Sequence, residues 1–112
     1  MTRLLKPALV MAALVTSGST LGETQRLDDG EKVYQVHCAR CHETGMLDAP
    51  LSSEPPAWKT RSDLWDAVLA KHAENGYFNM PARGGVEGLG DYDVDVAVEY
   101  LMSLVHPSRA PD

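Results

Sequence analysis

The chain has 112 residues, with 10 Lys and Arg against 16 Asp and Glu for a formal net charge of −6, and 44% of it is apolar. This length buries one domain with a thin core. The acidic balance excludes a phosphate backbone as partner, since nucleic-acid binding rests on Lys and Arg neutralising phosphates, and the composition is neither that of a disordered chain nor that of a membrane-embedded one.

Arg3 and Lys6 precede the apolar run Pro7 to Val15, and small or polar residues follow from Thr16 to Gly22. A basic end, a short apolar centre and a small-residue region predict a secretory signal over residues 1–22. Thr20 and Gly22 suit the positions before a cut, with Thr16 and Gly18 as the second choice. The nine-residue apolar run falls short of the roughly 20 residues that cross a bilayer, so no stable span is expected after cleavage. No Cys stands at the cut to take a lipid. Removing the leader deletes Arg3 and Lys6 and no acid, leaving 8 bases, 16 acids and −8 over residues 23–112. The mature domain is expected in the periplasm, where disulfides are permitted.

In the mature chain, Val33, Tyr34, Val36 and Ala39 predict a helix from Gly30 to Cys41, with Asp28 and Asp29 as caps at the positive end of its dipole. Ser62 begins a second, in which Leu64, Trp65, Val68, Leu69 and His72 fall three or four apart and Gly76 supplies the stop. A third starts near Asp91, carries Val94, Ala97, Val98, Leu101 and Val105 on one stripe, and ends at Pro107. No stretch alternates like a half-buried strand, so the domain reads as all-α. Glu43 to Arg61 and Tyr77 to Gly90 read as irregular. Segments this long in a small domain need something to organise them, and a large apolar cofactor would do so.

Both cysteines of the chain stand in Cys38-Ala39-Arg40-Cys41-His42, the spacing of c-type haem attachment. Two thiols on successive faces of a helix end meet the two vinyl groups of one porphyrin edge, and the next side chain is carried beneath the iron. A neutral imidazole binds iron well once its other N–H has a partner, and the Pro50 carbonyl is the candidate. A redox dithiol lacks its βαβ context. A disulfide closing so short a loop would stabilise little, and a zinc site lacks a second ligand pair.

The iron's sixth position decides between carrying electrons and binding small molecules. Met46 follows His42 too closely to reach the opposite face, Met102 sits where a helix Met fills a core, and His72 leaves a bis-histidine site open. Met80 is the choice. Pro81 pushes it towards extended backbone, and Gly84, Gly85, Gly88 and Gly90 let the chain turn tightly against a flat ring.

On these residues the chain resembles the small monohaem class I cytochromes c, and within them the bacterial cytochrome c5 branch, over nearly all of residues 23–112. Gly30 and Tyr34 stand at the spacing of the family's Gly and aromatic pair, where the first and last helices cross, and Tyr100 resembles the aromatic they meet. Asn79 to Gly85, with Leu89 and the Asp91 to Leu101 helix, is similar to the c5 Met-Pro-x-x-Gly-Gly loop and final helix. Ala57-Trp58 with Arg61 is similar to the segment bordering the haem edge. The resemblance implies the class I cytochrome c fold, with three main helices and two long loops wrapped around one covalent haem c. It implies His42 and Met80 as iron ligands, and Trp58 N–H and Arg61 as donors to a haem propionate. Two departures stand out: the extra cysteine pair that some c5 relatives carry near the Met loop is absent, and Gly90 replaces a frequent Ser, leaving Asp91 to cap.

A His/Met iron has no open place for substrate, and a thioether ligand favours ferrous iron. The expected function is a periplasmic one-electron carrier, not an enzyme. Its partners would be redox proteins such as membrane respiratory complexes, oxidases or periplasmic dehydrogenases, met as a monomer or as a weakly held subunit. The alternative is a haem subunit of a larger periplasmic oxidoreductase, or an open-site haem with weak peroxidase or gas-binding activity.

Overall fold

A computed structural model of the chain describes residues 4, 7–10, 18–59, 61 and 66–106. Most of the expected leader lies outside the described residues, as do Ser62, Leu64, Trp65 and Pro107.

The first helix is longer than its apolar pattern. α1 spans Gly18–Val33, passes through one π-helical turn at Tyr34–Cys38 and continues as α2, Ala39–His42, whereas periodicity placed the start at Gly30. The added turns carry no apolar stripe and are held from the side. Arg26 donates to both oxygens of Glu99 at 2.6–3.1 Å. The Tyr92 hydroxyl and the Gln25 amide donate to Asp29 at 2.6 and 2.8 Å. Asp28 and Asp29, expected as caps, are therefore interior helix residues, and Asp29 ties α1 to the last helix.

Beyond α2 the chain makes a 3₁₀ turn at Met46–Asp48 and a short helix α3, Pro55–Trp58. Two prolines open α3, in the first turn, where backbone N–H groups have no helical partner to lose. α4, Asp66–Asn75, stops at Gly76 with φ +87°, as its sequence predicts. A second 3₁₀ turn, Ala82–Gly85, precedes α5, Asp91–Val105. The segments read as irregular thus hold one short helix and two turns. No strand occurs among the described residues, and the class is all-α as expected. Gly90 stands at the start of α5, where the Asp93 carboxylate accepts its N–H at 3.3 Å. That corrects the assignment of Asp91 as cap, because Asp91 pairs with Arg83 instead.

α1 and α5 cross at Gly30, where an added Cβ would stand 2.0 Å from the Val96 carbonyl oxygen. The Tyr34 and Tyr100 rings pack beside the crossing, 5.3 Å apart and tilted by 57°. Tyr34, Trp58, Leu101, Met102 and Val105 form one buried cluster; Ala73, Leu89 and Val94 form another, with Met80 and Val98 against it. No helix among the described residues is long and apolar enough to cross a membrane.

Candidate functional site

The two clusters do not close on each other. Between them lies a cavity of about 670 Å³, lined among others by Cys38, Cys41, His42, Trp58, Met80 and Leu101. Its size and mostly apolar wall suit a flat apolar ligand bearing a few polar groups.

The turn at Tyr34–Cys38 delivers the cysteines. One extra residue within a helical turn changes which side chains share a face, and Tyr34, Cys38 and Cys41 all reach the cavity wall, Tyr34 from beside the crossing. Both cysteines are free. Burial, with the Cys41 thiol beside it, pushes the Cys38 thiol up to about 11, so it stands as a protonated thiol.

His42 follows at the end of α2 and is 8% exposed. Its Nδ1 lies 2.9 Å from the Pro50 carbonyl oxygen, which fixes the ring and leaves Nε2 as the nitrogen available to a ligand. Burial lowers its pKa below the usual imidazole value, against the opposing pull of the Pro50 hydrogen bond. The neutral ring is the form that binds a metal. The Trp58 ring packs 5.5 Å from the imidazole.

Residues 50–52 are pinned at successive positions. Pro50 O accepts from His42, Leu51 O accepts from Trp58 Nε1 at 2.9 Å, and Ser52 N–H donates to His42 O at 2.9 Å. The Ser52 hydroxyl donates to Glu43, which also accepts from the Tyr34 hydroxyl. These two donors, Ser52 first, hold the Glu43 carboxyl below its ordinary range.

Met80 lines the same cavity, packed against the Ala73, Leu89 and Val94 cluster. Residues 77–80 form a closed turn, with Tyr77 N–H to Met80 O at 3.0 Å and Met80 N–H to Tyr77 O at 2.9 Å. Phe78 takes φ +48° in this turn, a value usual for Gly. After Pro81, Arg83, Gly84 and Gly85 are also left-handed. Arg83 then braces the loop, donating to Leu89 O at 2.9 Å and to Asp91 at 2.6 Å.

The other axial candidates, Met46, Met102 and His72, line the same cavity. Met46 is 47% exposed at the rim and Met102 is 5% exposed in the core. His72 stacks on Tyr77 at 3.9 Å. Trp58 and Arg61 line the cavity, but Trp58 gives its N–H to Leu51 O and Arg61 gives one N–H to Ala57 O at 2.6 Å. The Trp58 N–H is engaged by the Leu51 carbonyl, while the Arg61 guanidinium keeps further donors. Glu43, Ser52 and Arg83 carry no motif, and sequence reading passes over them because their partners lie six to nine positions away at no fixed spacing.

The residues suit a porphyrin tethered by two thioethers: paired free thiols, a buried neutral imidazole with one nitrogen fixed, and thioether side chains share one apolar cavity. Comparison with known proteins agrees. The family described as cytochrome C oxidase, cbb3-type, subunit III matches residues 25–101. Cytochrome c-555 of Chlorobaculum tepidum is 36% identical over 106 residues, 91% of this chain and 96% of its own. Cytochrome c5 of Azotobacter vinelandii is 33% identical over 78 residues, 67% of this chain and 93% of its own. A chain from a solved electron-transfer complex of nitrite reductase with cytochrome c superposes with a TM-score of 0.64. It is 29% identical, and the match covers 70% of this chain and 95% of that one.

Proposed function

Because this chain belongs to the cytochrome c family, and so carries covalent haem c and moves electrons rather than catalysing a reaction, we propose that it is a periplasmic one-electron shuttle with its iron between His42 and Met80. The observation supporting this reading is the convergence of Cys38, Cys41, His42 and Met80 on one apolar cavity.

Bound haem supplies an iron that cycles between ferrous and ferric by one electron. Cys38 and Cys41 would hold it through two thioether links. His42 presents Nε2 while Pro50 keeps its Nδ1–H. Met80 offers a neutral, soft sulfur that favours the ferrous state and raises the potential. Leu69, Val98 and Leu101 in the cavity wall exclude water, which penalises the additional positive charge of the ferric form. Arg61 has N–H donors beyond the one given to Ala57 and is the candidate to meet a propionate.

Export through residues 1–22 fits this role. Cutting after Gly22 would trim the first turn of α1, where Leu21 is 76% exposed, and leave the Arg26 and Asp29 ties intact. A mature charge of −8 would steer the domain towards basic docking surfaces, an effect that fades with salt.

The visible spectrum of exported holoprotein tests the ligation: a weak far-red ferric band is expected from sulfur, and its absence with a Soret band present would overturn Met80 as ligand. The family's description as an oxidase subunit favours a second reading, a haem subunit of a larger oxidoreductase. Native mass under gentle extraction separates the two, a lone chain of residues 23–112 supporting the shuttle.

A further inference from the structure

Glu43 is exposed and belongs to neither the tether nor the ligand pair. Its surroundings are nevertheless built: a single carboxylate oxygen accepts from the Tyr34 hydroxyl and from the Ser52 hydroxyl. Tyr34 is 1% exposed and rooted in the α1–α5 crossing, whereas Ser52 belongs to the loop behind His42. From this bridge we infer that Glu43 is a positioning residue for His42, locking to the helical frame the loop whose Pro50 carbonyl takes the imidazole N–H.

The path is short. Glu43 holds the Ser52 side chain, Ser52 N–H holds His42 O at 2.9 Å, and Pro50 O, two residues earlier, stands 2.9 Å from His42 Nδ1. Trp58 steadies the residue between them through Leu51 O. The Glu43 oxygen carries the tie on to Tyr34, beside which the Ser52 hydroxyl also stands, so it fastens the loop to the α1–α5 crossing in addition to its bonds with His42. Tyr34 stays a donor, because burial raises its phenol pKa above the usual value. The chemical consequence lies at the imidazole. A carbonyl that accepts Nδ1–H orients the ring and makes the opposite nitrogen a stronger donor, and a stronger donor favours ferric iron. With the loop released, the hydrogen bond lengthens, the donor weakens and the ferrous state gains.

This inference rests on His42 as iron ligand, and the experiment separates the two claims. Holoprotein is prepared as wild type, Glu43→Gln, Glu43→Ala, Ser52→Ala and the Glu43→Ala/Ser52→Ala double variant. Exchange of the His42 Nδ1–H is followed by NMR in the ferrous state, and midpoint potentials are measured alongside. Glu43→Ala is expected to speed that exchange about tenfold, in line with partners of ligating imidazoles generally. It is also expected to raise the potential by up to the about 59 mV that a tenfold ferrous preference represents for one electron. Ser52→Ala should match it, the double variant should add nothing further, and Glu43→Gln, which keeps an acceptor oxygen, should restore most of both values. A Glu43→Ala protein that melts earlier with exchange and potential unchanged would reduce Glu43 to a structural tie and overturn the inference. Should Glu43→Ala not mature, Ser52→Ala and Glu43→Gln decide on the same two readouts. A wild-type His42 ring without haem-shifted resonances would instead overturn the ligand assignment.

Discussion

The two walls of the cavity are held by different means. Behind His42, successive residues 50–52 are fixed by side chains and backbone from α2, α3 and α1, through His42, Trp58, Ser52 and the Glu43 bridge. Around Met80 the shape comes from the backbone itself: Phe78, Arg83, Gly84 and Gly85 are all left-handed, and Arg83 is the brace. Non-Gly residues in that region cost of order 1–3 kcal/mol each. Leu47 and Asp48, just before residues 50–52, are left-handed as well, so backbone strain is common to both walls. What makes one a bracket and the other a strap is the several side-chain ties behind His42 against the Arg83 brace alone, and this makes the thioether side the first to yield.

The largest effects should divide along that line. His42→Ala removes the group on which the bracket converges and is expected to abolish holoprotein, read as loss of the Soret band in exported material. Met80→Ala should keep the covalent haem while the far-red band vanishes and the midpoint potential falls by a sizeable part of the about 0.8 V that axial ligation spans. Equal loss of holoprotein in both variants would break the contrast.

Gly30→Ala strikes the frame beneath both walls. Its new Cβ would stand 2.0 Å from the Val96 oxygen, a backbone clash with nowhere to relax, so a loss of about 3 kcal/mol is expected. Guanidinium unfolding of the holoprotein checks this. The far-red band and the Soret band should then report one midpoint, because neither wall is loosened in preference to the other.

What the sequence made legible follows from how local each signal is. Cys38 to His42, Met80-Pro81 and the stripe of α5 are short patterns with a mechanical meaning, and the Gly76 stop is a single-residue one. The early turns of α1 are different: their residues are polar all round, and Arg26 and Asp29 find partners 73 and 63 positions away. Periodicity has no access to such pairs. The π-helical turn is equally silent, since Gln35 and Val36 face solvent and no residue type marks it. Pro55 and Pro56 did carry a helix-start signal, hidden within a stretch that composition marks as loop. In the site, the proximal wall depends on carbonyls and hydroxyls, groups that nearly every sequence offers, so only the tertiary fold distinguishes Glu43 and Ser52 from their neighbours.

Arg83→Ala sharpens the contrast at moderate cost. It cuts the Leu89 and Asp91 contacts while leaving residues 42–58 untouched. With Asp91 largely exposed, the local loss should be about 1–2 kcal/mol. On heating, the far-red band is expected to disappear well before helical circular dichroism, as a strap that opens alone would show. Coincident melting in the variant would mean that the Met80 turn needs no brace.

The smallest effect concerns pH and the same distal side, because α4 leads through Gly76 into the Met80 turn. Asp95 on α5 shares a hydrogen bond with Glu74 on α4; burial first, then Glu74, pushes its carboxyl from 3.8 up to about 6. Glu74 is held below its ordinary value, chiefly by Lys71 at 2.8 Å, and Asp91 is the further charge facing both. A carboxyl raised on folding means that the native state binds the proton more tightly, so Asp95 lowers stability progressively between about pH 4 and 6 and leaves it lowered above. Glu74 works the other way, its stabilisation present above its unfolded value and lost as acid protonates it. Asp95→Asn deletes the first slope and keeps the second. Its melting temperature relative to wild type should therefore climb from pH 4 to pH 7, by about 4 °C or less given the partial exposure. A constant offset across that range would mean that the two carboxyls hold no shared proton, and that the α4–α5 contact is indifferent to pH.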